Sequence, residues 1–283
     1  MNGFVPRFLS AGTGQDELET DVHFDFRSLH PGDVLKVYLK NSLRFHSAVL
    51  RVFGKKYPFA FSAKSDELLA LVGIDLNQSE GEYPLEITVQ HKTGQNEKIR
   101  RRLFVEKMEF PEERLWVDER FVTPPSSVLE RIQRESVILS SIYSLSSPDW
   151  MADGPFILPV EGKAAHNFGL RRFFNNLPRS PHSGEDISAP TGTVVKASNS
   201  GRIVFASDLY YSGNTVIIDH GLGVYSFYCH FSRILAKRGE SVKKGDPIGE
   251  VGATGRVTGP HLHWSIRVNG GRCDPYSLLY LRF

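Results

Sequence analysis

The sequence predicts a mostly-β protein: an antiparallel β-sandwich, a helical connector, then a second antiparallel sheet. Three observations carry this. Short alternating strands separated by turn residues fill the stretch from about 20 to 107. A single segment of helical period follows Pro124-Pro125. From about 155 glycine becomes frequent, strands stay short, and six of the ten histidines appear, at 166, 182, 220, 230, 261 and 263.

In the first half, "DVHFDFRSL" places Val22, Phe24 and Phe26 on one face. "DVLKVYLKN" sets Val34, Lys36, Tyr38 and Lys40 against Leu35, Val37 and Leu39. "FAFSA", "ELLALVGIDL", "YPLEITVQH" and "KIRRRLFVEK" follow, with turn signals at Pro31-Gly32, Gly54, Gly81 and Gly94. Strands of this length and spacing suit an immunoglobulin-like sandwich, placed at 15–107. It holds no cluster of His, Asp, Glu or Cys with ligand or catalytic spacing, which suits an accessory module. The basic run Lys98 to Arg102 lacks interleaved aromatics and reads as a solvated strand face.

A connector is expected at 108–154. Ser127 and Glu130 have the spacing of a capping box, and Val128, Ile132, Leu139 and Tyr143 recur at helical spacing, so an amphipathic helix is expected at 127–144. Its charged face, with Arg131, Arg134 and Glu135, reads as solvent-facing.

Composition narrows the function classes. A formal charge of +2 on 283 residues argues against a nucleic-acid partner. No stretch reaches the roughly 18–20 apolar residues of a membrane helix. The start, "MNGFVPRFLSAG", shows no export signal, which fits either a cytoplasmic protein or a mature form. Cys229 and Cys273 match no metal or redox spacing and read as buried thiols.

The chemistry concentrates in the last third. "PHSGEDISAP" brings His182 and Asp186 to either side of a glycine turn. "NTVIIDHGLGVYSFYCH" reads as a hairpin whose returning strand puts Ser226, Tyr228 and His230 on one face. "GPHLHWSIRV" puts His261 and His263 on one face and Leu262 and Trp264 on the other. Neighbouring strands would let these imidazoles meet. Two histidines and a carboxylate on one ion leave a tetrahedral position open, as in catalytic rather than structural zinc sites. The remaining histidines would then serve as general acid/base and oxyanion partners. Spacing alone does not rank His261 against His263 as the ligand. No H-E-x-x-H helix is present.

With "FGLRR", "PHSGEDISAPTGTVVKASNSGRIVFA", "GNTVIIDHGLGVYSFYCH" and "SVKKGDPIGEVGATGRVTGPHLHW", the stretch from about 165 to 279 resembles the lysostaphin/LytM-type zinc metallopeptidases, which cut peptide bonds in bacterial peptidoglycan. The resemblance implies a metallopeptidase domain at 155–283 holding one Zn2+ on His182, Asp186 and His263. It implies His230 and His261 as the catalytic pair. It also implies a peptidoglycan peptide as substrate, a periplasmic or extracellular setting, and other cell-envelope proteins as partners. "RRFFNNLPRSP" departs from relatives that cut polyglycine bridges, which favours peptide stems or cross-links. The competing expectation is a latent or inactive zinc-binding envelope protein that binds peptidoglycan or regulates other wall hydrolases. His220 and His166 read as structural and surface residues. Arg171 either bonds near the site or pairs on the surface. Gly213, Gly221, Gly245, Gly249, Gly252, Gly255 and Gly259 are expected to serve positive-φ turns or close strand packing.

Overall fold

The computed structural model describes residues 20–62 and 65–283. Residues 15–19 of the expected sandwich, the amino-terminal stretch and Ala63 lie outside them. Two four-stranded antiparallel sheets pack face to face. One runs in the order Val22–Phe26, Val34–Lys40, Glu67–Gly73, Ala60–Phe61, and the other in the order Lys55–Pro58, Phe45–Val52, Gly81–His91, Asn96–Val105. Leu35, Val37 and Leu39 point between them and meet Leu50, Ile87 and Val89, all fully buried. Arg100 and Arg102 lie exposed and pair across the strands with Glu86 and Glu82.

The other face of the Val34–Lys40 strand is not solvent-facing. Val34 joins the core of the C-terminal sheet, alongside Leu69 and Leu71. Lys36 is buried because its ammonium has partners: Glu67 and the Arg282 carbonyl oxygen, each at 2.8 Å. At Gly73 the halves come so close that a Cβ would sit 2.7 Å from the Val268 carbonyl oxygen. Arg272 reaches Asp75 at 2.6 Å across the same seam.

The connector departs from expectation in two respects. Its helix spans Ser126–Ser144 with Pro125 at the N-cap, so Ser127 is already inside the helix and the capping box does not form. Nor does its charged face simply look into water. Arg131 pairs with Glu135 and with Asp208, both at 2.6 Å, while Glu135 accepts a bond from the Tyr210 backbone N–H. Leu139, Ile142 and Tyr143 cover Tyr225, Phe227 and Cys229 of the large sheet. The helix is therefore docked by charge as well as by its apolar stripe.

The C-terminal sheet has ten strands. Its central order is Lys163–Ala164, Glu185–Ser188, Leu262–Val268, Val224–Ile234, Gly213–Asp219, Gly201–Leu209, Ser241–Val242. Leu262, Trp264, Ile266 and Val268 bury one face of a central strand completely. A small three-stranded sheet borders it, where Glu112–Leu115 of the connector runs parallel to Arg171–Phe174. Both cysteines are buried free thiols. Of the glycines singled out above, Gly259 is the exception: it has neither positive φ nor a close neighbour at its Cβ position, whereas Gly255 (φ +76°) would put a Cβ 2.5 Å from the Gly213 nitrogen.

Candidate active site

Strand pairing builds the centre of the site. Asp186 lies directly opposite His263 in the antiparallel pair, so their side chains share a face at cross-strand distance. The Ser183-Gly184 turn folds His182 back over them. It needs glycine at 184, because a Cβ there would lie 2.6 Å from the Trp264 carbonyl oxygen and 2.7 Å from the His263 ring. Asp186 Oδ1 is then 2.8 Å from His263 Nδ1 and 3.2 Å from His182 Nε2, and the two ring nitrogens are 2.9 Å apart.

His230 reaches the site by breaking the strand pattern. Tyr228 pairs with Trp264 and Cys229 with His263, so regular alternation would send His230 to the core side with Tyr228. Instead His230 has φ +67°, and pairing with the Pro247–Val251 strand shifts register just beyond it. The resulting irregularity turns its ring to the same side as His263, with ring centres 6.2 Å apart, and to 4.9 Å from His261. The face sharing expected for Ser226, Tyr228 and His230 is thus corrected. Ser226 and Tyr228 are fully buried, and His230 lines the groove.

Bonds to carbonyl oxygens fix the ring protons. His182 donates Nδ1–H to Asn167 O at 2.9 Å, His230 to Thr254 O at 2.8 Å, and His261 to Gly259 O at 2.9 Å. A carbonyl only accepts, so the Nε2 atoms of the neutral rings carry lone pairs. For His182 that lone pair faces the Asp186 carboxylate at 3.2 Å, an unfavourable meeting unless a cation or proton lies between them. One donor atom from each of His182, Asp186 and His263 lies within 4.8 Å of the others. Two imidazoles and one carboxylate converging with a free side fit a zinc ion. Burial alone would raise the Asp186 pKa, but protons on the His182 and His263 nitrogens that face it, in the place a metal ion would take, hold it far below the usual carboxylate range. Burial pushes His263 down to about 4, and burial with the two neighbouring imidazoles pushes His230 down to about 3.

Two supporting side chains escaped the sequence reading. Asn167 bonds Asp186 twice, donating Nδ2–H to Oδ2 at 2.8 Å and accepting the Asp186 backbone N–H at 3.1 Å. Arg172 donates to the same Oδ2 at 3.2 Å and to Glu113 of the connector at 2.9 Å. Nothing in their spacing marked them, since the bonds span 14 and 19 residues to Asp186 and 59 to Glu113. Arg171, one position earlier, is a surface residue paired with Glu112 at 3.2 Å. His166 is exposed, outside the cluster.

The four clustered histidines and Asp186 line an open groove of about 700 Å³. Glu113, Leu115 and Val117 of the connector, with Leu139 and Tyr143 of its helix, line the same groove.

Comparison with known proteins agrees with this architecture. Residues 180–275 match the model of peptidase family M23, so the chain carries an M23 peptidase domain. Over 115 residues it is 44% identical to the peptidoglycan DD-endopeptidase ShyA of Vibrio cholerae, covering 40% of this chain and 27% of the relative. Over 97 residues it is 45% identical to the DD-carboxypeptidase/endopeptidase Mpg of Neisseria meningitidis, covering 34% and 22%. The chain thus spans about a quarter of the length of the curated relatives it matches. A crystal structure assigned to peptidase M23 from Pseudomonas aeruginosa, 28% identical, superposes with a TM-score of 0.66 over 90% of this chain and 96% of that one. That likeness runs through the sandwich and connector as well as the peptidase domain.

Proposed function

We propose that the chain is a zinc-dependent endopeptidase that hydrolyses peptide bonds in peptidoglycan stems or cross-links at the cell envelope, outside the cytoplasm. In this reading 15–107, described from residue 20, is an accessory sandwich, 108–154 a connector and 155–283 the peptidase unit. The observation that carries the reading is the convergence of three donor atoms, from His182, Asp186 and His263, beside two further imidazoles in an open groove.

His182 through Nε2, His263 through Nδ1 and Asp186 through Oδ1 would hold the ion. When bound, zinc supplies Lewis acidity and lowers the pKa of a coordinated water to about 7. Asn167 and Arg172 occupy Oδ2 of Asp186 and so aim Oδ1 at the cluster. His230 and His261, their Nδ1–H groups tied to backbone carbonyls, present Nε2 to the groove. Each can accept a proton there, and once protonated can return it to the leaving amine or bond the developing oxyanion. Because burial keeps His230 neutral well below neutral pH, it starts as an acceptor.

Incubation of the zinc-loaded protein with purified peptidoglycan, followed by mass analysis of released fragments, tests the proposal. New amino termini are expected and would name the bond. Bound zinc with no fragments would favour the latent, regulatory reading.

A further inference from the structure

The groove is unevenly charged. Its acidic lining residues are Glu113 and Asp186, and both are already engaged: Glu113 by Arg172, Asp186 by Arg172 and the imidazoles. Three arginines on the same lining, Arg179, Arg256 and Arg267, have no carboxylate partner among the described residues, and Arg267 lies over the Tyr143 ring of the connector helix. The guanidinium of Arg256 lies 4.7 Å from the Phe174 ring centre and 4.8 Å from that of Tyr211, stacked rather than ion-paired. Arg179 gives one nitrogen to the Val122 carbonyl oxygen at 2.7 Å, while its Nε is buried without a partner.

Half-buried cations beside one another are costly when no anion offsets them. Burial, opposed by Tyr211 and reinforced by the like charges of Arg172 and Arg179, lowers the Arg256 pKa. Seated over two aromatic rings, the guanidinium has no side-chain acceptor among the described residues, and its N–H groups suit a planar, bidentate acceptor. Arg256 sits five residues before His261, on the loop that delivers that imidazole, so an anion held there is fixed relative to the site.

We propose that Arg256, assisted by Arg179, forms a subsite for a free carboxylate of the substrate peptide, and that the protein discriminates acidic peptides from their amidated counterparts. This rests on the peptidase reading for its substrate class, though not for the anion preference itself.

The test uses cross-linked peptidoglycan peptide dimers with free carboxylates, and the same dimers with those groups converted to primary amides. For the zinc-loaded wild type, kcat/KM should be at least tenfold higher on the free-carboxylate dimers, the difference lying mainly in KM. R256Q should lose most of that preference, R179Q part of it, and R256K should retain more than R256Q. Bound zinc per chain should match the wild type in all three. Equal handling of both dimers by the wild type, or undiminished preference in R256Q, would overturn the subsite. Should R256Q fail to fold, R179Q and R256K carry the same comparison. Binding of the dimers to metal-stripped protein separates the two readings. Preferential binding of the carboxylate form without any hydrolysis by the loaded protein would sink the peptidase reading and keep the subsite, whereas equal binding would sink the subsite.

Discussion

Two regions of the large sheet hold buried histidines under opposite regimes. At one end, His220 is fully buried, with Nδ1–H on the Ser200 carbonyl oxygen and Nε2 on the Ser226 hydroxyl, both at 2.7 Å. Both ring nitrogens are spent within the chain. In the groove, His230 is only slightly less buried, but it spends one nitrogen on Thr254 and turns the other toward His261 and His263. Burial drives both pKa values down, to about 4 and about 3. Desolvation therefore does not separate structural from chemical histidine; the unspent nitrogen does.

Breaking the groove member should give the largest effect. His230→Ala and His261→Ala are each expected to cut hydrolysis about 10²- to 10⁴-fold while bound zinc, measured by elemental analysis, stays near the wild-type amount. Undiminished hydrolysis would remove the contrast with His220.

The structural member should instead show itself in stability. The folded pKa of His220 lies below its unfolded value, so the unfolded state takes up the proton first as pH falls. Its stabilising contribution is complete above about pH 6.5 and declines toward pH 4, by about 3 kcal/mol in total. Denaturant melts of wild type and His220→Gln across that range should converge on acidification, with hydrolysis per folded molecule at neutral pH little changed.

A smaller effect sharpens the groove side. Arg172 touches only the far oxygen of Asp186, so it is a positioning residue. Arg172→Gln should weaken zinc binding about 10- to 100-fold, with Arg172→Lys in between. Competition with a chromogenic chelator reads this independently of activity, and unchanged affinity would show that Asn167 suffices.

The smallest effect belongs to the seam between the halves. Burial would raise the Asp75 carboxyl, yet the bonds from Arg272 bring it down to about 2. Asp75→Asn should cost about 2 kcal/mol near neutrality. That contribution is present above about pH 4 and lost as pH falls toward 2, so the mutant and wild-type stability curves should meet at low pH.

The His261-x-His263 face could be read directly from sequence, because period-two alternation within one strand is local geometry. His182 with Asp186 was legible too, as a short glycine turn. The capping box at Ser127 misled because Pro125 takes the cap position and starts the helix a residue earlier. The helix's charged residues misled because nothing in the helix reveals that Asp208 and Tyr210 wait opposite. His230 is the sharpest case: alternation alone would have buried it with Tyr228, and only the positive-φ irregularity brings it round.

By itself, the sequence determined which residue types could do chemistry and which strands and turns would carry them, since those depend on neighbours a few positions apart. The tertiary structure alone decided that Asp186 faces His263, that Arg172 and Asn167 brace it, and that the connector walls the groove. Those facts depend on register and packing between segments tens of residues apart, which local patterns do not encode.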